Sequence, residues 1–182
     1  VNSTKESREY SKESIILILK NLKKCVKDPH ESARFNMCMA SNLAGRAINI
    51  SKTTAPHAVS YTLTSEYGIP HGQAVCVTLP GFLEFNYNLN DENISEGINK
   101  EEHKVLMDEL SKILGFKSNS DAKKFLIEFI DSLGLKINLT DLGIKSSEDI
   151  NIISKNVNTE RLKNNPRKIS ESDLEKILSD IL

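Results

Sequence analysis

Much that would give a function away is missing from this chain of 182 residues. There is no basic excess: 24 Lys and Arg stand against 25 Asp and Glu, which removes the electrostatic ground for nucleic-acid binding. There is no long hydrophobic run, since Ile15 to Leu19 falls far short of the ~20 apolar residues that a bilayer crossing requires, and no signal-peptide h-region opens the chain. A soluble protein without membrane contact is expected. The chain also lacks a Cys-x-x-Cys pair. Cys25, Cys38 and Cys76 are odd in number and lie in apolar helical stretches, which predicts buried, reduced thiols and a cytoplasmic location. Internal repeats, low-complexity segments and any Gly-x-Gly-x-x-Gly turn are absent, so this stretch holds no dinucleotide-binding half. Strand-like alternation does not persist, with "LKINLT" at 135–140 the one candidate.

What is present is helical, and a single all-α, multi-helix bundle over residues 1–182 is expected. Ser3-x-x-Glu6 has the form of a capping box opening a long helix to about Val26. Asp28-Pro29 ends it. A second helix, roughly Glu31 to Ile50, is crowded with Ala33, Ala40, Ala44, Gly45 and Ala47, small residues that permit close helix packing, with Arg34 and Arg46 at its edges or in a cleft. A third runs from Pro56 to about Tyr67, and a fourth from near Gly72 through Phe85, with a bend expected at Pro80. Residues 86–100 read as a polar loop. Helices follow at about 101–115, 119–133, 146–156 and 170–181, the last opened by Ser170-x-x-Asp173. Because "VNSTKES" begins almost at once on a helix cap, the chain is expected to be a fragment of a longer protein.

Two of the four histidines stand out. His57 lies in an apolar-periodic run and His71 between Pro70 and Gly72. On one unbroken helix, 14 positions would separate them by ~21 Å, too far for a shared metal, but the Gly68-Ile69-Pro70 turn folds the chain back. Two readings stay open on the residues alone. The pair is either part of a metal site that needs further ligands, or a packed histidine and a turn histidine. Tyr61, one helical turn after His57, is either a ligand- or cofactor-orienting phenol or a core tyrosine. Lys52 and Arg46 are either contacts for an anionic substrate group or solvated helix ends. His30 and His103 read as surface residues.

The stretch "APHAVSYTLTSEYGIPHGQAVCVTLP" resembles the iron-containing (group III) alcohol dehydrogenases, in which a helix histidine is followed 14 residues later by a histidine in a Pro-His-Gly turn. "NSTKESREYSKESI", "ASNLAGRAINISKT" and "NNPRKISESDLEKIL" extend the likeness over nearly the whole chain, and Ser-Lys-Thr-Thr-Ala-Pro-His is closest to the phosphonoacetaldehyde-reductase-like branch. The resemblance implies the C-terminal helical half of the dehydroquinate-synthase-like fold, with His57 and His71 as two of four metal ligands. The other two, an Asp and a His, and the NAD(P)-binding half would precede Val1. It further implies a divalent iron or zinc ion and NAD(P) in the complete enzyme, acting on an alcohol or aldehyde, with Tyr61 beside the cofactor or substrate and Lys52 as an anion contact. Many members have a second histidine where this chain has Tyr61.

From this follow the expectations for function: the metal-binding half of an NAD(P)-dependent alcohol dehydrogenase or aldehyde reductase, inactive and nearly metal-free as an isolated fragment. Two rivals remain: the helical half of a phosphate-substrate enzyme of the same superfamily, and a non-catalytic helical domain that binds a partner or self-associates through an exposed apolar cleft.

Overall fold

A computed structural model describes residues 2–182, the side chain of Asn119 excepted. Its described residues form helices without any strand: α1 (Lys5–Lys27), α2 (Glu31–Ser51), α3 (Ala55–Tyr67), α4 (His71–Tyr87), α5 (Lys100–Leu114), α6 (Asn119–Ser132), α7 (Ser147–Asn156), α8 (Thr159–Leu162) and α9 (Glu171–Ser179). The candidate strand at 135–140 is instead irregular chain leading into a 3₁₀ turn at Thr140–Leu142. An isolated antiparallel bridge joins Ile94 and Arg167. The fold is thus all-α, as the periodicity predicts, and among the described residues no helix is long and apolar enough to cross a membrane.

The chain divides into two compact units, one ending at Lys52 and the other running from Thr53 to Leu182. The first is a helical hairpin. Its opening cap is shifted by one residue from the expected position: Thr4, not Ser3, accepts from the Ser7 amide, and Ser7 returns the bond to the Thr4 amide, so the reciprocal box is Thr4/Ser7. Ser7 and Ser14 on α1 are buried seven residues apart, as are Ala33, Ala40 and Ala47 on α2. Such small side chains let the two backbones approach, and Ser14 Oγ donates to the Ala40 carbonyl at 2.8 Å. Arg46 lies with its guanidinium carbon 4.0 Å over the Tyr10 ring and bonds the Tyr10 hydroxyl, which makes it a packing residue of the hairpin.

The second unit is built around α3 and α4. Gly68 ends α3 in the left-handed region (φ 69°), where glycine carries no Cβ penalty, and its amide closes on the carbonyls of Leu63 and Thr64. Ile69 is buried beyond it, and Pro70 precedes the first residue of α4, His71. The core beneath this turn joins Val59 and Leu63 of α3, Val77 and Phe82 of α4, Ile150 and Ile153 of α7, and Leu174 and Leu178 of α9. Side-chain bonds tie the same layers together: Thr62 Oγ1 donates to the Asn156 carbonyl and Tyr67 Oη to Asp149. Ser146 and Ser170 open α7 and α9 with reciprocal boxes to Asp149 and Asp173, the second as the sequence predicts.

The 86–100 loop starts two residues later than expected, since α4 carries on to Tyr87. Short α8 was not anticipated: four residues are too few to show a hydrophobic period. The expectation of buried cysteines also needs correction. All three are free, but Cys38 is exposed and Cys25 and Cys76 only partly covered, because apolar content along a helix does not say which face is inside.

Candidate functional site

The turn at Gly68–Pro70 brings α4 back so that the His57 and His71 rings meet with centres 5.3 Å apart and planes at 63°. His57 stands on the first turn of α3, half-buried, while His71 is exposed at the start of α4. Burial, and then the proximity of His71, hold the His57 imidazolium pKa below its ordinary value of 6.5. A neutral ring is the form a metal ligand requires.

Ser60 supplies a feature that spacing alone did not flag. It is wholly buried, and its Oγ donates to the His57 carbonyl at 2.8 Å, the bond natural to a serine one turn along a helix. With its single proton so committed, the hydroxyl accepts from His71 Nδ1–H at 3.2 Å. In the neutral form of His71 this bond places the proton on Nδ1 and the lone pair on Nε2, the arrangement by which outer groups orient metal-binding histidines.

Zinc bonds to imidazole nitrogen of ~2.1 Å at a tetrahedral angle put two ring centres about 5 Å apart. The observed 5.3 Å fits such an ion as half of its shell. Among the described residues no third His, Cys, Asp or Glu joins them. His30 is instead the N-cap of α2, accepting from the Ala33 amide, and His103, placed at the surface by the sequence, is partly covered and lies 3.0 Å from the Asn86 carbonyl.

Tyr61 joins the pair, its ring centre 5.7 Å from that of His71, and it is 47% exposed. The same ring also carries a residue that no sequence motif singles out: the Arg161 guanidinium carbon, 4.2 Å from the Tyr61 ring centre. Lys52 belongs to the hairpin unit. It caps α2 with φ 62°, the one described non-glycine residue with positive φ, and its exposed ammonium donates to the Asn49 carbonyl at 3.1 Å.

The segment bearing Arg161 is firmly held. Asn158 caps α8, Leu162 packs against the core, and Asn164 Nδ2 donates to the Thr53 carbonyl at 2.8 Å. Asn165, fully buried, exchanges amide bonds with Asn86 (2.7 and 3.3 Å) and also donates to the Arg167 carbonyl at 2.7 Å. Arg167 stacks on Phe85 and donates to the Phe85 and Asn88 carbonyls.

The second unit is thus an all-helical domain that presents two histidines across a glycine-proline turn. Residues 2–182 match the profile of the Fe-containing alcohol dehydrogenase family, C-terminal, and the chain belongs to that family. It is 26% identical to phosphonoacetaldehyde reductase of Streptomyces viridochromogenes over 99% of its own length and 45% of that protein. It is 32% identical to 1,3-propanediol dehydrogenase of Klebsiella pneumoniae over 89% of this chain and 41% of the relative. Among solved structures, the NAD+ complex of sulfoacetaldehyde reductase from Bifidobacterium kashiwanohense superposes with a TM-score of 0.81 at 27% identity, over 98% of this chain and 44% of the other. The chain therefore spans less than half the length of the relatives it matches, and corresponds to the C-terminal domain of the family.

Proposed function

We propose that residues 1–182 are the helical metal-binding half of an NAD(P)-dependent alcohol dehydrogenase or aldehyde reductase. The observation that carries this reading is the meeting of His57 and His71 at 5.3 Å in a chain of this family. His57 and His71 would hold an iron or zinc ion together with ligands from a preceding part of the protein. When bound, such an ion polarises a carbonyl or lowers the pKa of an alcohol, which is what hydride transfer to or from a nicotinamide needs.

The chain's own residues prepare that site. Partial burial keeps His57 neutral, Ser60 fixes the His71 tautomer, and Tyr61 walls the open side of the pair toward substrate or cofactor. Lys52, with its exposed ammonium, is kept as a candidate contact for an anionic group. The relatives named as reductases of phosphonoacetaldehyde and sulfoacetaldehyde support an aldehyde as substrate. Three free cysteines accord with work in a reducing cytoplasm.

The test uses the full-length protein encoded around this chain, stripped of metal and reloaded with Fe²⁺ or Zn²⁺. NAD(P)H oxidation by short aldehydes that depends on the ion and disappears in His57→Ala and His71→Ala is the expected result. Turnover that survives both substitutions overturns the reading. The isolated 1–182 chain should be inactive and hold little metal, and a stoichiometric complement by elemental analysis would contradict that.

A second reading has its own support. Phe35 (64% exposed) and Met39 (42% exposed) stand one turn apart on α2, an apolar face suited to a second copy or a partner. Light scattering on Phe35→Asp tests it: an assembly that the substitution dissociates favours the reading, and a monomeric wild-type chain removes it.

A further inference from the structure

Arg161 is a permanent cation with no anion to serve. None of its guanidinium N–H groups is bonded to a carboxylate or carbonyl among the described residues; its guanidinium carbon lies 4.2 Å from the Tyr61 ring centre. The adjacent acid, Glu160, is engaged by Lys163 Nζ at 2.7 Å. Arginines on protein surfaces commonly find a carboxylate or remain mobile in solvent. This one is stacked on an aromatic ring, on a segment pinned at Asn158, Leu162, Asn164 and Asn165. Stacking restrains the side chain before any ligand arrives, so less conformational freedom is lost on binding.

The position matters as much as the lack of a partner. Tyr61 meets both groups, its ring centre 4.2 Å from the Arg161 guanidinium carbon and 5.7 Å from the His71 ring centre, so a single ring links the guanidinium to the histidine pair. A short molecule whose reacting oxygen sits at the histidines can extend along Tyr61 with its far end toward Arg161. The planar fork of a guanidinium matches two oxygens of a phosphonate, sulfonate or carboxylate, and a charge-assisted pair there selects strongly for an oxyanion over a neutral end.

We propose that Arg161, held by Tyr61, is the specificity residue of this site and binds the oxyanion of a short aldehyde or alcohol whose other end reacts beside His57 and His71. The proposal rests on the reading above for the reaction, and on Arg161 itself for the class of substrate. It assigns the sorting of charged from neutral substrates to the second unit. Arg161 carries no share of bond making; it positions the molecule.

The experiment compares full-length wild type with Arg161→Ala and Arg161→Lys, using phosphonoacetaldehyde and propanal as substrates and methylphosphonate as a non-reacting probe. Arg161→Ala should raise KM for phosphonoacetaldehyde at least about tenfold, leave kcat and the kinetics of propanal nearly unchanged, and abolish competitive inhibition by methylphosphonate. Arg161→Lys should recover only part of the loss, because an ammonium cannot make the bidentate pair. Equal effects on both aldehydes, or methylphosphonate inhibition that is the same in wild type and Arg161→Ala, would overturn the proposal. If wild type turns over no aldehyde at all, the proposed reaction fails, and calorimetry with methylphosphonate then decides the anion site separately. Binding lost in Arg161→Ala supports the site, and binding that is absent or unchanged refutes it. Because Arg161 is exposed and makes no side-chain hydrogen bond among the described residues, the variants should fold, which circular dichroism checks.

Discussion

Ser60 and His71, eleven positions apart in sequence, meet with Oγ and Nδ1 3.2 Å from each other, and the same hydroxyl donates to the His57 carbonyl. One buried serine thus touches both members of the histidine pair, the backbone of one and the ring of the other. Ser60→Ala should leave the helices intact but release the His71 ring. Long-range ¹H–¹⁵N NMR on the metal-free protein should show the Nδ1–H form dominant in wild type and mixed tautomers in the variant. Zinc affinity of the full-length protein should fall about 10- to 100-fold. An unchanged tautomer ratio would mean that Ser60 does not orient the ring.

The burial of His57 sets a pH dependence. Its folded-state pKa is lowered, first by desolvation and then by His71, so the unfolded chain takes up a proton more readily than the folded one as the pH falls through 6.5. Acidification through that value and down past the lower folded value should therefore reduce stability, and the His57 contribution should be fully present above pH 6.5. His57→Gln should flatten this part of the stability profile measured by urea unfolding. In His71→Ala the His57 midpoint, followed by NMR, should rise yet stay below 6.5, because burial is the larger cause.

Asn165 is the strongest candidate for a large stability effect outside the apolar core. Asn165→Ala would strip a bond from the Arg167 carbonyl and leave the Asn86 amide without its reciprocal partner. A loss of about 1–3 kcal/mol is expected from buried polar groups left unpaired. The urea midpoint should fall with its slope unchanged. Since Asn165 lies four positions after Arg161, the variant should also weaken methylphosphonate binding, whereas an effect on stability alone would separate the two roles.

Asp149 links α7 to α3. It accepts from the Ser146 hydroxyl and amide, the Lys145 amide and the Tyr67 hydroxyl, and these bonds, led by the Ser146 side chain, hold its carboxyl below the usual 3.8. The stabilisation is present above that value and is lost as the pH drops through it toward the folded-state pKa. Asp149→Asn should lower stability at neutral pH and flatten the acid limb of the unfolding curve.

The sequence disclosed the architecture well where periodicity and caps are long-range signals. Helices α1 to α7 and α9 fall within a residue or two of expectation because each spans several turns of apolar period or opens with a Ser or Thr box. The shift from Ser3/Glu6 to Thr4/Ser7 shows the limit: serine, threonine and glutamate in a run offer two registers, and side-chain bonds decide between them. His57 and His71 were legible because the turn that joins them is local. Arg161 was not, because its partner Tyr61 lies 100 positions earlier and no one-dimensional pattern records that meeting. The buried-cysteine expectation failed for a related reason, as burial is set by which element covers a face.

The same difference in sequence span separates the two ends of the site in time. His57 and His71 close a loop of 14 residues, whereas Arg161 closes on Tyr61 across 100 and Asn164 on Thr53 across 111. Loop closure growing as (3/2)RT ln n makes the longer closure costlier by about 1.7 kcal/mol, and during synthesis its far end leaves the ribosome last. A nascent chain therefore brings His57 and His71 together before Arg161 can reach Tyr61. A premature stop anywhere between α7 and α8 would remove Arg161 and, with it, Leu174 and Leu178 of the core beneath the histidine turn.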